Sequence, residues 1–227
     1  MIWIDYYTCI SALYQNLVIF DFELFQNLLD NAQSFDFDLI FFTNVYIHHY
    51  ILRLCPQGDN FVILLDVKAE NYSEAVLCAA EFMLKKGKKG VYVAASRPYI
   101  FILKQMGKRN IGTGNLLFID CTSGMGGEQD GGGACTYIEN PAALEEISMH
   151  ISLSLRKLNP GGNFLIMDSI STLLIYNTLH SMEEFSMFLI NKMRMEDVSC
   201  ILIIIEKQVP EELEQILTAM CDRVIHV

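Results

Sequence analysis

Phe61-Val62-Ile63-Leu64-Leu65-Asp66-Val67-Lys68-Ala69-Glu70-Asn71-Tyr72-Ser73 is an apolar run that stops at an acid, crosses a polar turn and enters a stretch with helical spacing. Continuous apolarity, in place of in-and-out alternation, marks a strand buried on both faces. The pattern returns at Val91–Ala95, Leu116–Asp120, Phe164–Asp168, Ile201–Ile205 and Arg223–Val227. Helical stretches lie between these runs. Ser73–Lys86 closes on Gly87, with Lys85 and Lys86 in the last turn, where cations suit the helix dipole. Pro98–Met106 closes on Gly107. Asn140-Pro141 carries a cap-then-proline start, and Pro160-Gly161-Gly162 stops that helix after Leu158. Ser181–Met195 and Pro210–Met220 complete the set. Strand and helix alternating in this way predict an α/β fold, a three-layer α/β/α arrangement with a mainly parallel sheet.

The chain has 227 residues, 52% of them hydrophobic and 19% charged, which is too apolar for a disordered protein. Its longest nearly uncharged stretch, Leu39–Leu52, is interrupted by Asn44, His48 and His49. It falls short of the ~20 residues of a membrane span, and no basic region precedes an apolar run near Met1. No membrane association and no secretory signal are therefore expected. The net charge is −11, so nucleic-acid binding through bulk electrostatics is disfavoured. Seven cysteines show no zinc or redox spacing, and several sit inside apolar runs, as reduced thiols of a cytoplasmic protein do.

Composition divides the chain in two. Residues 1–52 contain no Lys, Arg, Gly or Pro, yet hold 13 of its 25 aromatics. Residues 1–57 are thus set apart as an aromatic-rich extension, and 58–227 as the main domain. The extension reads as a helical appendage, an interaction segment or a mis-assigned start.

In open parallel sheets, ligands bind beyond the carboxyl ends of the strands. Asp66 to Ser73 has the length and position of a phosphate-binding loop, G-x-x-x-x-G-K-[ST]. Asp66 and Asn71 stand where the glycines belong, Tyr72 where the lysine belongs, and only Ser73 agrees. Glycines let backbone amides wrap the phosphates, and the lysine neutralises them. Here Asp66 and Glu70 add negative charge instead, and two like charges ~4 Å apart cost about 4 kcal/mol at an effective dielectric near 20. Lys68 would have to fold back over the loop to compensate. Phe164–Asp168 ends like a strand whose carboxylate holds Mg²⁺. The other reading makes Asp168 the cap of the turn Ile170–Tyr176. Arg97, beside Pro98-Tyr99 just past the carboxyl end of the second strand, Val91–Ala95, is placed to meet an anion or Asp168, or to make a surface ion pair. Gly124–Gly133, with six glycines and no lysine, reads as a mobile surface loop.

The stretches Lys86-Gly87-Lys88-Lys89-Gly90-Val91-Tyr92-Val93, Ser96-Arg97-Pro98-Tyr99, Leu117-Phe118-Ile119-Asp120-Cys121, Asp168–Asn177 and Phe188–Arg194 together resemble the RecA/KaiC-like class of P-loop ATPases. More closely, they resemble archaeal RecA-like proteins of unknown function that have lost the phosphate loop. Active members of the class carry a pair of glutamates at positions that fall here on Ala95 and Ser96. The resemblance implies a RecA-like fold and a non-catalytic module, regulatory or scaffolding, that requires no cofactor. It implies self-association or pairing with an active RecA-like ATPase. The alternative is a nucleotide-binding protein or slow ATPase that uses ATP and Mg²⁺ at a non-standard site of Lys68, Tyr72, Ser73, Arg97 and Asp168, with Asp168 on the metal.

Overall fold

The computed structural model describes residues 47, 51, 54–56, 58–126, 133–158 and 162–227. All of them belong to one compact unit, Tyr46–Val227. Most of the 1–57 extension, part of the glycine-rich stretch and the Pro160-Gly161 stop lie outside the described residues. Of the extension, Ile47, Ile51 and Cys55 are described and are buried in the core.

The apolar runs become the strands of one sheet. They are β1 (Val62–Val67), β2 (Gly90–Ala94), β3 (Leu116–Asp120), β4 (Cys135–Tyr137), β5 (Phe164–Asp168), β6 (Ser199–Ile205) and β7 (Arg223–His226). Their order is β4-β3-β2-β5-β6-β1-β7, and every neighbouring pair is parallel. Six helices connect them: α1 (Tyr72–Lys85), α2 (Tyr99–Lys108), α3 (Leu144–Lys157), α4 (Ile170–Tyr176), α5 (Leu179–Met195) and α6 (Glu211–Met220). Alternation along each strand sorts side chains between two faces. Ile63, Leu65, Tyr92, Phe118 and Ile166 pack with α1 and α2. Val62, Leu64, Val93, Leu165 and Met167 pack with α3 to α6. Helices cover both faces, so the central strands are apolar throughout, as a three-layer α/β/α fold requires. Among the described residues no helix is long and apolar enough to cross a membrane.

Three local expectations are corrected, and one strand is added to the set. β1 does not stop at Leu65. Asp66 and Val67 continue it because Ile204 and Ile205 of β6 pair with them and Val227 accepts the Lys68 amide at 2.8 Å. The connection to α1 is therefore Lys68–Asn71, and the eight-residue loop shrinks to four residues. Second, α3 begins at Leu144 and not at Pro141. Asn140 Oδ1 accepts the Ala142 amide at 2.9 Å, so the cap-like asparagine closes a turn of its own. Third, residues 170–176 form a helix whose cap is Ser169, with the Thr172 amide on its hydroxyl at 3.2 Å; Asp168 does not cap it. The added strand, β4, had no signal, because Cys135-Thr136-Tyr137 is a short, half-buried edge strand.

Candidate functional site

β2 and β5 run side by side, which places Ala94 opposite Asp168 at their carboxyl ends. α1 starts beside them, so Tyr72 comes from the third direction. Asp168 is 1% exposed. Three hydroxyls converge on its carboxylate. Tyr72 donates to Oδ1, Ser96 donates to the same oxygen at 3.0 Å, and Tyr92 donates to Oδ2. The Tyr72 and Ser96 oxygens lie 2.7 Å apart, which closes the cluster. Main-chain bonds hold the frame, since the Ala95 and Ser96 amides both donate to the Asp168 carbonyl, at 2.6 and 3.1 Å.

Burial pushes the Asp168 carboxyl pKa up, and the bonds from Tyr72, Tyr92 and Ser96 and the charge of Arg97 pull against that rise. Both phenols are pushed well above the ordinary tyrosine value, first by burial and then by the Asp168 charge. They stay protonated at any ordinary pH and act as permanent donors.

Arg97 meets rings. Its guanidinium lies 5.1 Å from the centre of Tyr72 and 5.4 Å from that of Phe101. It acts on Asp168 through its charge, not through the direct ion pair considered above. Tyr72, Ser73, Arg97 and Asp168 line one small cavity of about 20 Å³, room for about one water. Four of the five candidate residues thus come together. Lys68 does not join them; it is exposed on the four-residue connection.

Asp66 is corrected as a neighbour of the site. It belongs to β1 and alternates with Val62 and Leu64, which pack with α3 to α6, so it faces the side of the sheet away from α1. There its Oδ2 lies 2.9 Å from His226 Nδ1, while Oδ1 has no partner. Asp120, which ends β3, is a structural acceptor. It takes bonds from the Tyr99 amide at 2.8 Å, the Thr122 amide and hydroxyl at 2.8 Å, and the Ser123 hydroxyl at 2.7 Å. Burial alone would raise its carboxyl; these bonds hold it below the usual range.

Sequence reasoning missed Tyr92 and treated Ser96 only as the position of an absent glutamate. A signal for Tyr92 was available. It is the one polar-tipped side chain in Gly90-Val91-Tyr92-Val93-Ala94, and a buried phenol has to find a partner. Among the described residues, no group of three or more His, Cys, Asp or Glu side chains is arranged to hold a metal ion.

No family model matches the chain, and no curated protein matches it in sequence. Solved structures do. The flagellar accessory protein FlaH of Methanocaldococcus jannaschii superposes with a TM-score of 0.51 at 16% identity, over 74% of this chain and 71% of that one. A KaiC-like protein of Pyrococcus horikoshii OT3 gives 0.54 at 15% identity, again over 74% and 71%. A further Pyrococcus horikoshii OT3 protein gives 0.53 at 12% identity, over 79% of this chain and 87% of its own. The seven parallel strands, their order and these superpositions agree: the chain has the RecA/KaiC-like fold.

Proposed function

We propose that this chain is a non-catalytic RecA/KaiC-like module with a regulatory or scaffolding role. One observation carries the reading. The carboxylate at the end of β5 already holds three protein hydroxyls, and only about 20 Å³ is left beside it. A Mg²⁺ ion takes a near-octahedral oxygen shell at about 2.1 Å and keeps several waters. Tyr72, Ser96 and Tyr92 take three of the carboxylate's about four acceptor positions, which leaves Asp168 little to offer that shell. A triphosphate further requires backbone amides wrapped around it and a lysine-type charge. Lys68–Asn71 spans four residues and runs into Tyr72, whose ring lies under Arg97. Phosphoryl transfer depends on a charge clamp and a positioned nucleophile, and this arrangement favours neither.

The module then acts by binding. A second copy of the chain, or an active RecA-like ATPase, is the partner that the fold favours, in a cytoplasmic setting. Thermal unfolding in millimolar Mg-ATP tests the reading. A ligand at 100 times its Kd stabilises by about 2.7 kcal/mol, several degrees for a domain of this size. No shift is expected. A clear shift that Asp168→Ala abolishes would establish the rival, a nucleotide-binding protein or slow ATPase built on Lys68, Ser73, Arg97 and Asp168.

A further inference from the structure

The other face of the sheet carries a second feature. α3 and α5 run side by side in the same direction: Asn177 Nδ2 reaches the Pro141 carbonyl at 3.3 Å near their N-terminal ends, and Lys192 Nζ donates to Ser152 Oγ further along. Between them lies an open groove of about 670 Å³. Phe185 is buried in its floor, whereas Met149 is 51% and Phe188 54% exposed. Exposed Met and Phe on a groove mark a contact surface, and Met adapts its shape to what it meets. The groove is also charged unevenly. Glu145 and Glu184 stand at the end where both helices begin. Lys192 stands at the other end, its ammonium 5.5 Å from the centre of the Phe188 ring.

We propose that this groove docks one amphipathic helix of a protein partner, antiparallel to α3 and α5. Its apolar stripe rests on Met149 and Phe188. Basic residues in its last turn meet Glu145 and Glu184, and an acidic residue in its first turn meets Lys192. Three arguments select this occupant. A helix places apolar side chains along one face at the spacing such a groove accepts. Cations at a helix C-terminus and anions at its N-terminus are the stable arrangement, and the antiparallel orientation sets exactly those charges against their opposites in the groove. A second copy related by a twofold axis through this face would set groove against groove and leave the concavity unfilled, so the self-association proposed above uses another face. The groove lies across the sheet from Asp168, so the inference does not depend on the nucleotide question.

The test uses the full chain with [¹³C-methyl]methionine and two stapled helical peptides of about five turns. Both carry the same Leu stripe. One has Glu in its first turn and Lys and Arg in its last; the other has these charges exchanged. The first peptide is expected to shift the Met149 methyl signal saturably while Met83 and Met106, buried on the other face, stay in place. Glu145→Lys with Glu184→Lys should weaken that peptide about tenfold and favour the exchanged one, and Met149→Glu should remove binding of both. All three positions are exposed, and an unchanged melting temperature shows that the fold survives. Equal binding of the two peptides, or no saturable Met149 shift with either, overturns the proposal. So does a Met149 signal that moves with protein concentration alone as sedimentation reports a dimer, which would make a second copy the occupant.

Discussion

The phenol of Tyr72, the first residue of α1, donates to the carboxylate of Asp168, the last residue of β5. Helix entry and strand end are thereby tied across 96 residues of sequence. Tyr92 and Ser96 complete the arrangement, so the buried charge rests on three donors, from α1, from β2 and from the connection that follows β2. A buried carboxylate that lost them would be left unpaired in an apolar layer, at a cost that grows with each missing bond.

That network is cooperative, and a double-mutant cycle should reveal it. Tyr72→Phe and Tyr92→Phe each remove one donor without changing packing. Each should destabilise by about 1–3 kcal/mol in urea unfolding. The pair should depart from additivity by at least about 0.5 kcal/mol, because both act on one carboxylate. Additive losses well under that size would mean that the hydroxyls contribute nothing specific.

Asp168 should also make stability depend on pH in a definite direction. Its native pKa is raised from 3.8, mainly by burial, so the native state holds the proton where the unfolded chain has released it. The stability linked to this group is fully present below 3.8 and is lost as pH rises through the raised native value. Asp168→Asn cannot titrate. The unfolding free energy of the native protein minus that of the variant should therefore fall as pH rises from the acid side, then level off. A difference that grows with pH would show a carboxylate whose native pKa is depressed.

Gly90 is required by packing. A Cβ at this position would lie 2.5 Å from carbons of the Phe164 ring, and Phe164 is fully buried. Gly90→Ala should cost about 1–3 kcal/mol. Adding Phe164→Leu should recover part of that loss; a single variant as stable as the parent would refute the clash.

Glu74 and Arg109 join α1 to the end of α2. The guanidinium bonds both Glu74 oxygens, one of them at 2.6 Å, and Cys78 Sγ adds a contact at 3.3 Å. Arg109→Ala leaves a largely buried carboxylate with only the weak Cys78 thiol as partner. Arg109 is itself 31% exposed, so the loss should be about 2 kcal/mol, less than for a fully buried pair. Arg109→Lys should restore only part of it, since a point charge cannot make the two-pronged bond. Chemical denaturation of the two variants checks both statements.

Much of this molecule was legible as sequence. Runs such as Phe164–Met167 and Ile201–Ile204 are apolar at consecutive positions, and only a strand covered on both faces buries them all; the parallel three-layer fold follows. Tyr72 in place of a lysine was legible too, because that comparison is local. What surrounds Asp168 was not. Its donors lie 96, 76 and 72 residues away, and strand register decides which hydroxyls arrive there. The length of the β1–α1 connection was equally hidden: β6 and β7 extend β1 through Asp66 and Val67, and nothing within Asp66–Ser73 announces those partners. The groove between α3 and α5 belongs to the same class. Each helix sequence shows an apolar side, but only packing determines which of those side chains the core takes and which, like Met149 and Phe188, it leaves at the surface. Local pattern sets which elements form; side chains distant in sequence meet only when the sheet aligns them.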